Sequence, residues 1–248
     1  MRVLNGPMNH PLHSATRPQA TRPGVVAETW LDYCQGWFDA NSAYITKDAG
    51  NLVSTWTNQA PADGAVRDLT QGTAAQQPLW VDAVINGYPV VRFDGAATTP
   101  DNLQNTSFCS TGWPLNFYLV GQVVSQPTGT YTLLDGAGML RVSYAGSKYW
   151  TFSTTQTSLA TPANGVPVIV KANFIDGACA LRVSGTAASA TYNVAMLSVT
   201  GLCLGSDVAV AHGANFDIAE VIYLGGKLPF AVDSSLMSYL ANKYGIAI

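Results

Sequence analysis

From Trp30 onward, short apolar stretches alternate with turn residues, and the period within each stretch is that of strands rather than of helices. Tyr88–Phe93, Asn116–Val124, Tyr131–Leu134, Met139–Tyr144 and Lys148–Phe152 each read as a strand, spaced at roughly ten-residue intervals as in a sandwich. Val166–Ile175 and Ala178–Val183 flank Asp176-Gly177. That dipeptide accepts the positive φ angles of a tight turn, so the two strands are expected to pair as a hairpin. Phe216–Leu224 carries apolar residues on both alternating faces around Glu220 and predicts a central strand covered on both sides. The pattern changes once more at the end of the chain. Leu236, Met237, Leu240, Ala241 and Tyr244 share one face at helical spacing, which predicts a helix over Ser234–Lys243 with Asp233 as N-cap and Gly245 beyond its end.

Composition supports an all-β class: only 11% of the 248 residues are charged, against 48% hydrophobic, with 23 Gly and 13 Pro to make turns. The expected fold is a two-sheet antiparallel sandwich over residues 30–248 with one C-terminal helix, long enough to bury a single core. Residues 1–29 stand apart. Their prolines, at Pro7, Pro11, Pro18 and Pro23, and their lack of apolar period predict an extended arm. Through Ala27 the arm holds Arg2, Arg17 and Arg22 but no Asp, Glu or Lys, so it carries +3 against a net −6 on the rest of the chain. These three arginines are the expected docking residues, on an acidic surface of this domain or of a neighbouring copy.

A net charge of −3 gives no concentrated positive field, so neither nucleic acid nor an anionic membrane is expected as a partner. Cys34, Cys109, Cys179 and Cys203 lack ligand spacing and are expected to be free thiols, with no metal and no cofactor. His10 and His13 make two ligands without a third, and His212 lies in a Gly-flanked loop with no evident nucleophile, where a solvated ring is the expectation. No bilayer-spanning run and no secretory-type apolar segment are evident, so a soluble chain made in the cytosol is expected.

Trp37-Phe38-Asp39-Ala40, Val53-Ser54-Thr55-Trp56-Thr57-Asn58, Gln77-Pro78 and Asn86-Gly87-Tyr88-Pro89-Val90-Val91-Arg92-Phe93-Asp94-Gly95 follow one another in order. Ile218-Ala219-Glu220-Val221-Ile222-Tyr223 and Tyr239-Leu240-Ala241-Asn242-Lys243-Tyr244-Gly245-Ile246 close the series. Together they resemble the concanavalin A-like lectin/glucanase (laminin G-like) jelly rolls found in phage virion and bacterial surface proteins. The resemblance runs from Gly36 to Ile248 and implies a jelly-roll architecture, which by itself assigns no activity.

Glucanases of that family present paired carboxylates in a Glu-x-Asp-x-x-Glu pattern. The chain has two glutamates, Glu28 and Glu220, neither in such a pattern, and Asp207 with Asp217 is the remaining pair to consider. No catalytic residue is therefore assigned, and a non-enzyme is expected. Trp113, Tyr149 and Trp150 are the candidates to stack on a glycan, against the reading that they fill the core or a subunit contact. Arg92 and Glu220, set among apolar strand residues, are expected to form a structural ion pair. The leading expectation is a phage virion protein that decorates the capsid, held through its arm by other virion proteins and by copies of itself. A carbohydrate-binding module for cell-surface glycan is the alternative and a diverged glycanase the third.

Overall fold

A computed structural model of the chain describes residues 29–60, 67–95, 99–108, 114–125, 131–136, 141–145, 148–152, 157–160, 163–175, 178–184, 189–192 and 201–248. The basic arm with Arg2, Arg17 and Arg22 lies outside these residues, as do Trp113, Cys109 and the Asp176-Gly177 turn. The strands among the described residues are β1 (Cys34–Asp39), β2 (Ile45–Lys47), β3 (Val53–Trp56), β4 (Leu69–Thr70), β5 (Leu79–Ile85), β6 (Tyr88–Phe93), β7 (Leu103–Asn105), β8 (Leu115–Val123) and β9 (Tyr131–Asp135). They continue with β10 (Arg141–Ala145), β11 (Lys148–Phe152), β12 (Thr157–Ala160), β13 (Val168–Ile175), β14 (Ala178–Val183), β15 (Ser189–Tyr192), β16 (Leu202–Leu204) and β17 (Phe216–Gly225), and one helix, α1 (Phe230–Tyr244), follows.

These strands form two antiparallel sheets. The first runs β15-β14-β13-β8-β17-β6-β5, with β1 also paired to β17, and the second runs β12-β11-β10-β9-β16-β7-β4-β3-β2. The expected hairpin is present as β13 against β14, in register from Val170 opposite Val183 to Ile175 opposite Ala178. Between the sheets lies the main core, which includes Phe38, Trp56, Leu103, Phe117, Leu134 and Phe216. A second apolar layer, with Trp30, Val90, Tyr118, Ile222, Leu236 and Leu240, lies between the other face of the first sheet and α1. Each large side chain buried in these layers contributes about 1.5–3 kcal/mol, which is why the two-layer sandwich recruits the helix as a third layer.

Strand β17 is buried along its whole length, as its pattern predicts. One of its edges pairs with β8; the other pairs with β6 at Phe216–Ile218 and then with β1 at Glu220–Leu224. Between those partners the register slips by one residue, a bulge between Ile218 and Glu220. The slip sets the sides. Phe216, Ile218, Val221 and Tyr223 enter the main core, while Ala219, Ile222 and Leu224 join the layer under the helix.

Helix α1 starts earlier than its apolar stripe suggests. Pro229 is its N-cap, with φ of −60° suited to a helix start, and Asp233 falls inside the first turn instead of capping it. The Asp233 carboxylate instead accepts from Tyr118 Oη and from Lys171 Nζ, both at 2.5 Å, and so ties the helix to β8 and β13. At the other end Gly245 adopts the left-handed conformation and its N–H bonds to Ala241 O, as expected of a glycine cap. Among the described residues no helix is long and apolar enough to cross a membrane.

Candidate functional site

The outward face of the second sheet carries a polar rung. Thr46, Thr55, Thr70, Gln104, Cys203, Asp135 and Arg141 are successive register partners across β2, β3, β4, β7, β16, β9 and β10. Alternation dictates this face, because Trp56, Leu69, Leu103, Leu134 and Val142 on the same strands point into the core. The two halves of the rung differ. Cys203 and Asp135 are buried, with the segment after β16 carrying Ser206, Asp207 and His212 bonded to this part of the sheet. The half from Thr55 to Gln104 stays open.

That open half is the floor of a groove of about 630 Å³, walled by Asp68, Gln71, Gly72, Asn105 and Thr106. Its walls are braced by side-chain bonds to backbone and to each other. Gln71 Nε2 donates to Asn102 Oδ1 at 2.8 Å, Gln71 Oε1 accepts from Thr73 N at 2.9 Å, and Gln77 Nε2 donates to Gln71 O at 2.8 Å. Asn105 Nδ2 donates to Asp68 O at 2.9 Å, and Asp68 Oδ1 accepts from Asn58 N at 2.8 Å. The groove therefore offers three hydroxyls, three primary amides and one carboxylate on a fixed frame. Hydroxyls and amides both donate and accept, and the single carboxylate accepts only, a set that matches a neutral, many-hydroxyl ligand.

Beside the groove sits a charged cluster. Arg141 Nη2 lies 3.2 Å from Asp135 Oδ2 and 3.7 Å from Asp207 Oδ2. His212 Nδ1 is 2.5 Å from Asp207 Oδ2, so the histidine is anchored rather than free in solvent, although its ring remains half exposed. Burial works to raise the Asp207 carboxyl, but the Ala211 N–H, His212 and Arg141 outweigh it and hold the group below its ordinary value. Burial pushes the Cys203 thiol up to about 12, so Cys203 is an inert thiol packed against Ser206. Cys34 is buried as well. Asp207 and Asp217 do not form a carboxylate pair. Asp217 lies in β17 of the first sheet, Asp207 in the segment that follows β16 of the second, and their partners differ.

Tyr149 and Trp150 lie in β11, with Trp150 in register opposite Ser143. Their side chains, like Trp113, fall outside the described residues.

Arg92 and Glu220 do not pair with each other. Arg92 binds Asp217, its register partner on β17, through Nε to Oδ1 at 2.7 Å and Nη2 to Oδ2 at 3.0 Å, and Gln122 Nε2 reaches the same Oδ2 at 3.0 Å from β8. Glu220 lies beyond the bulge, opposite Asp39 of β1 and under α1. There Lys243 Nζ donates to Glu220 Oε2 at 2.8 Å and to Asp39 Oδ2 at 2.7 Å. Tyr244 Oη adds a bond to Glu220 Oε2 at 2.9 Å and Trp37 Nε1 one to Oε1 at 2.6 Å. Burial raises the Glu220 carboxyl, and the nearby Lys243 charge offsets part of that rise.

No protein-family model matches the chain, and no curated protein matches it in sequence. Solved structures match it in fold. An arabinofuranosidase complexed with arabinofuranosyl-alpha-1,2-xylobiose aligns with a TM-score of 0.60 at 12% identity, over 79% of this chain and 52% of that one. A GH54 α-L-arabinofuranosidase soaked with a cyclic sulfate inhibitor gives 0.59 at 12% identity, over 85% and 63%. Trypanosoma rangeli sialidase in complex with 2,3-difluorosialic acid gives 0.54 at 13% identity, over 85% and 33%. The chain thus spans about a third of the sialidase and between half and two thirds of the arabinofuranosidases.

At these identities the likeness is one of fold, a β-sandwich that occurs within glycosidase chains. It corrects the expectation of a non-enzyme. The missing Glu-x-Asp-x-x-Glu pattern excludes one way of presenting carboxylates, whereas the solved chains that share this sandwich are themselves named as glycosidases.

Proposed function

We propose that this chain is a carbohydrate-recognising β-sandwich module that takes a neutral glycan in the groove over Thr55, Thr70 and Gln104. The observation that carries the reading is the groove's lining: hydroxyl and amide groups from three adjacent strands, with Asp68 as the one carboxylate. A carboxylate beside hydroxyl and amide donors can accept two hydrogen bonds from a sugar diol, and the described lining residues include no cation to select a phosphate or sulfate. Membership of the concanavalin A-like jelly rolls is the finer form of the same reading. Glycan-array binding by the full chain tests it, with Gln104→Ala expected to weaken the signal. Reducing-sugar release from a bound glycan distinguishes turnover from recognition alone, and an array without any hit overturns the reading.

Attachment of such a module to a virion is a separate proposal, supported by the acid-free arm with Arg2, Arg17 and Arg22 on an otherwise acidic chain. Deleting Met1 to Gly24 is expected to abolish particle incorporation while the sandwich stays folded; unchanged incorporation overturns the docking role.

A further inference from the structure

Lys243, Asp39 and Glu220 meet where the first strand of the sandwich touches its last helix. Asp39 ends β1, Glu220 faces it across the β1–β17 pairing, and Lys243 reaches both from the final turn of α1. The ammonium is 15% exposed, Asp39 17% and Glu220 1%. Aromatic rings surround them, with the centroids of Tyr244, Tyr239 and Tyr88 at 5.0, 5.7 and 5.9 Å from Lys243 Nζ and Trp37 bonded to the glutamate. An amine held against one carboxylate, with a second, fully buried carboxylate touching the amine and water largely excluded, is the arrangement that amide condensation requires.

We propose that Lys243 and Asp39 join through an intramolecular isopeptide bond, with Glu220 as the proton carrier. Lys243 begins as an ammonium: burial works to lower it, but the charges of Glu220 and then Asp39 keep it above its ordinary value. Passing one proton from Nζ to Glu220 Oε2 across 2.8 Å leaves a neutral amine and a neutral acid; the exchange removes two buried charges at the cost of the attraction between them, and so supplies a minor reactive form of the site. The amine then attacks Asp39 Cγ, one bond beyond the Oδ2 it already contacts at 2.7 Å. Negative charge builds on Oδ1, which the Asn41 N–H binds at 2.8 Å, so a backbone donor stands where the oxyanion forms.

Glu220 returns its proton to Oδ2, a second proton from nitrogen follows by the same route, and Oδ2 leaves as water. The Nζ–Cγ bond forms and the Cγ–Oδ2 bond breaks. The ammonium's three hydrogens end as one on the amide and two on the released water, nothing is oxidised or reduced, and Glu220 is regenerated. The link ties positions 204 residues apart, so that the first strand and the last helix are held together even in an unfolded chain.

Mass spectrometry of the full-length protein under denaturing conditions, followed by protease mapping, tests the bond. The expected result is a chain lighter than its sequence by one water, and a branched peptide containing both Asp39 and Lys243. Lys243→Arg keeps the positive charge but should run at full mass, and Glu220→Gln should do the same while folded. A folded wild-type protein that yields separate Asp39 and Lys243 peptides after long incubation overturns the proposal. So does a water loss that maps to Asp176-Gly177, where a succinimide would account for it.

Discussion

Arg92 and Asp217 stand opposite each other on β6 and β17 and form a two-point ion pair, with Nε 2.7 Å from Oδ1 and Nη2 3.0 Å from Oδ2. The two partners differ in exposure: the Asp217 side chain is fully buried, whereas that of Arg92 is 37% exposed. Loss of either partner therefore has unequal consequences. Arg92→Met leaves a buried carboxylate with Gln122 as its remaining side-chain donor among the described residues, and is expected to cost about 2–3 kcal/mol, below the cost of breaking a fully buried pair because Arg92 is partly solvated. Asp217→Asn leaves a cation that can turn to water and should cost less. Urea unfolding of both variants measures the difference, and a larger loss for Asp217→Asn contradicts this account.

Much of the sandwich was legible in the sequence because strand burial leaves a period-two trace. The slip in β17 was not legible: Phe216 and Ile218, then Val221 and Tyr223, enter the main core, but Ala219, Ile222 and Leu224 are apolar too, so the change of parity leaves no trace in the pattern. An Arg92–Glu220 pair is the natural but mistaken expectation because both are charges set among apolar strand residues, and nothing in the local pattern says which carboxylate stands across from Arg92. Asp217 is the true partner of Arg92, and the register of β6 against β17 decides it. The groove was not legible. It draws on β3, β4 and β7, strands of two to four residues whose polar positions converge only through pairing of distant segments. Lys243 likewise meets Asp39 only through tertiary structure, and a first-turn acid such as Asp233 resembles an N-cap in sequence whether it caps or bonds to a neighbouring strand.

Gly205 lies between β16 and the segment that carries Asp207 and His212. Its φ is +83°, and a Cβ there would stand 2.0 Å from Phe93 Cδ1 in the main core. Alanine at this position pays for both the backbone conformation and the displacement of a packed ring, neither of which a surface glycine would meet. Gly205→Ala is expected to lower stability by about 2–4 kcal/mol. Chemical denaturation checks the magnitude; a change smaller than that of an exposed control such as Gly72→Ala, where no atom lies within 4 Å of the added Cβ, refutes the packing argument.

The groove floor can be filled without touching the core, because Thr70 is exposed while its neighbour Leu69 is fully buried. Thr70→Trp is expected to block glycan binding at least as strongly as Gln104→Ala weakens it, with a melting temperature within a few degrees of wild type, since surface substitutions usually stay within about 0.5 kcal/mol. Retained binding in a folded Thr70→Trp variant moves the recognition site elsewhere.

Asp101 gives a pH test with a definite sign. Burial, set against a 2.8 Å bond from the Asp94 N–H, raises its carboxyl from 3.8 to about 6. In the unfolded chain the proton leaves near the ordinary value, whereas the folded chain holds it until about pH 6. Between those values the folded state binds more protons than the unfolded state, so stability falls as pH rises through the window and stays reduced above it. Asn in this position cannot ionise, yet its Oδ1 can still accept from the Asp94 N–H. The melting temperature of Asp101→Asn relative to wild type should therefore climb between pH 4 and pH 7 and then level off. Contributions of Glu220 and Asp207 titrate in both proteins and cancel in the difference. A difference that stays flat, or that falls as pH rises, shows that Asp101 is ionised in the folded chain throughout that range.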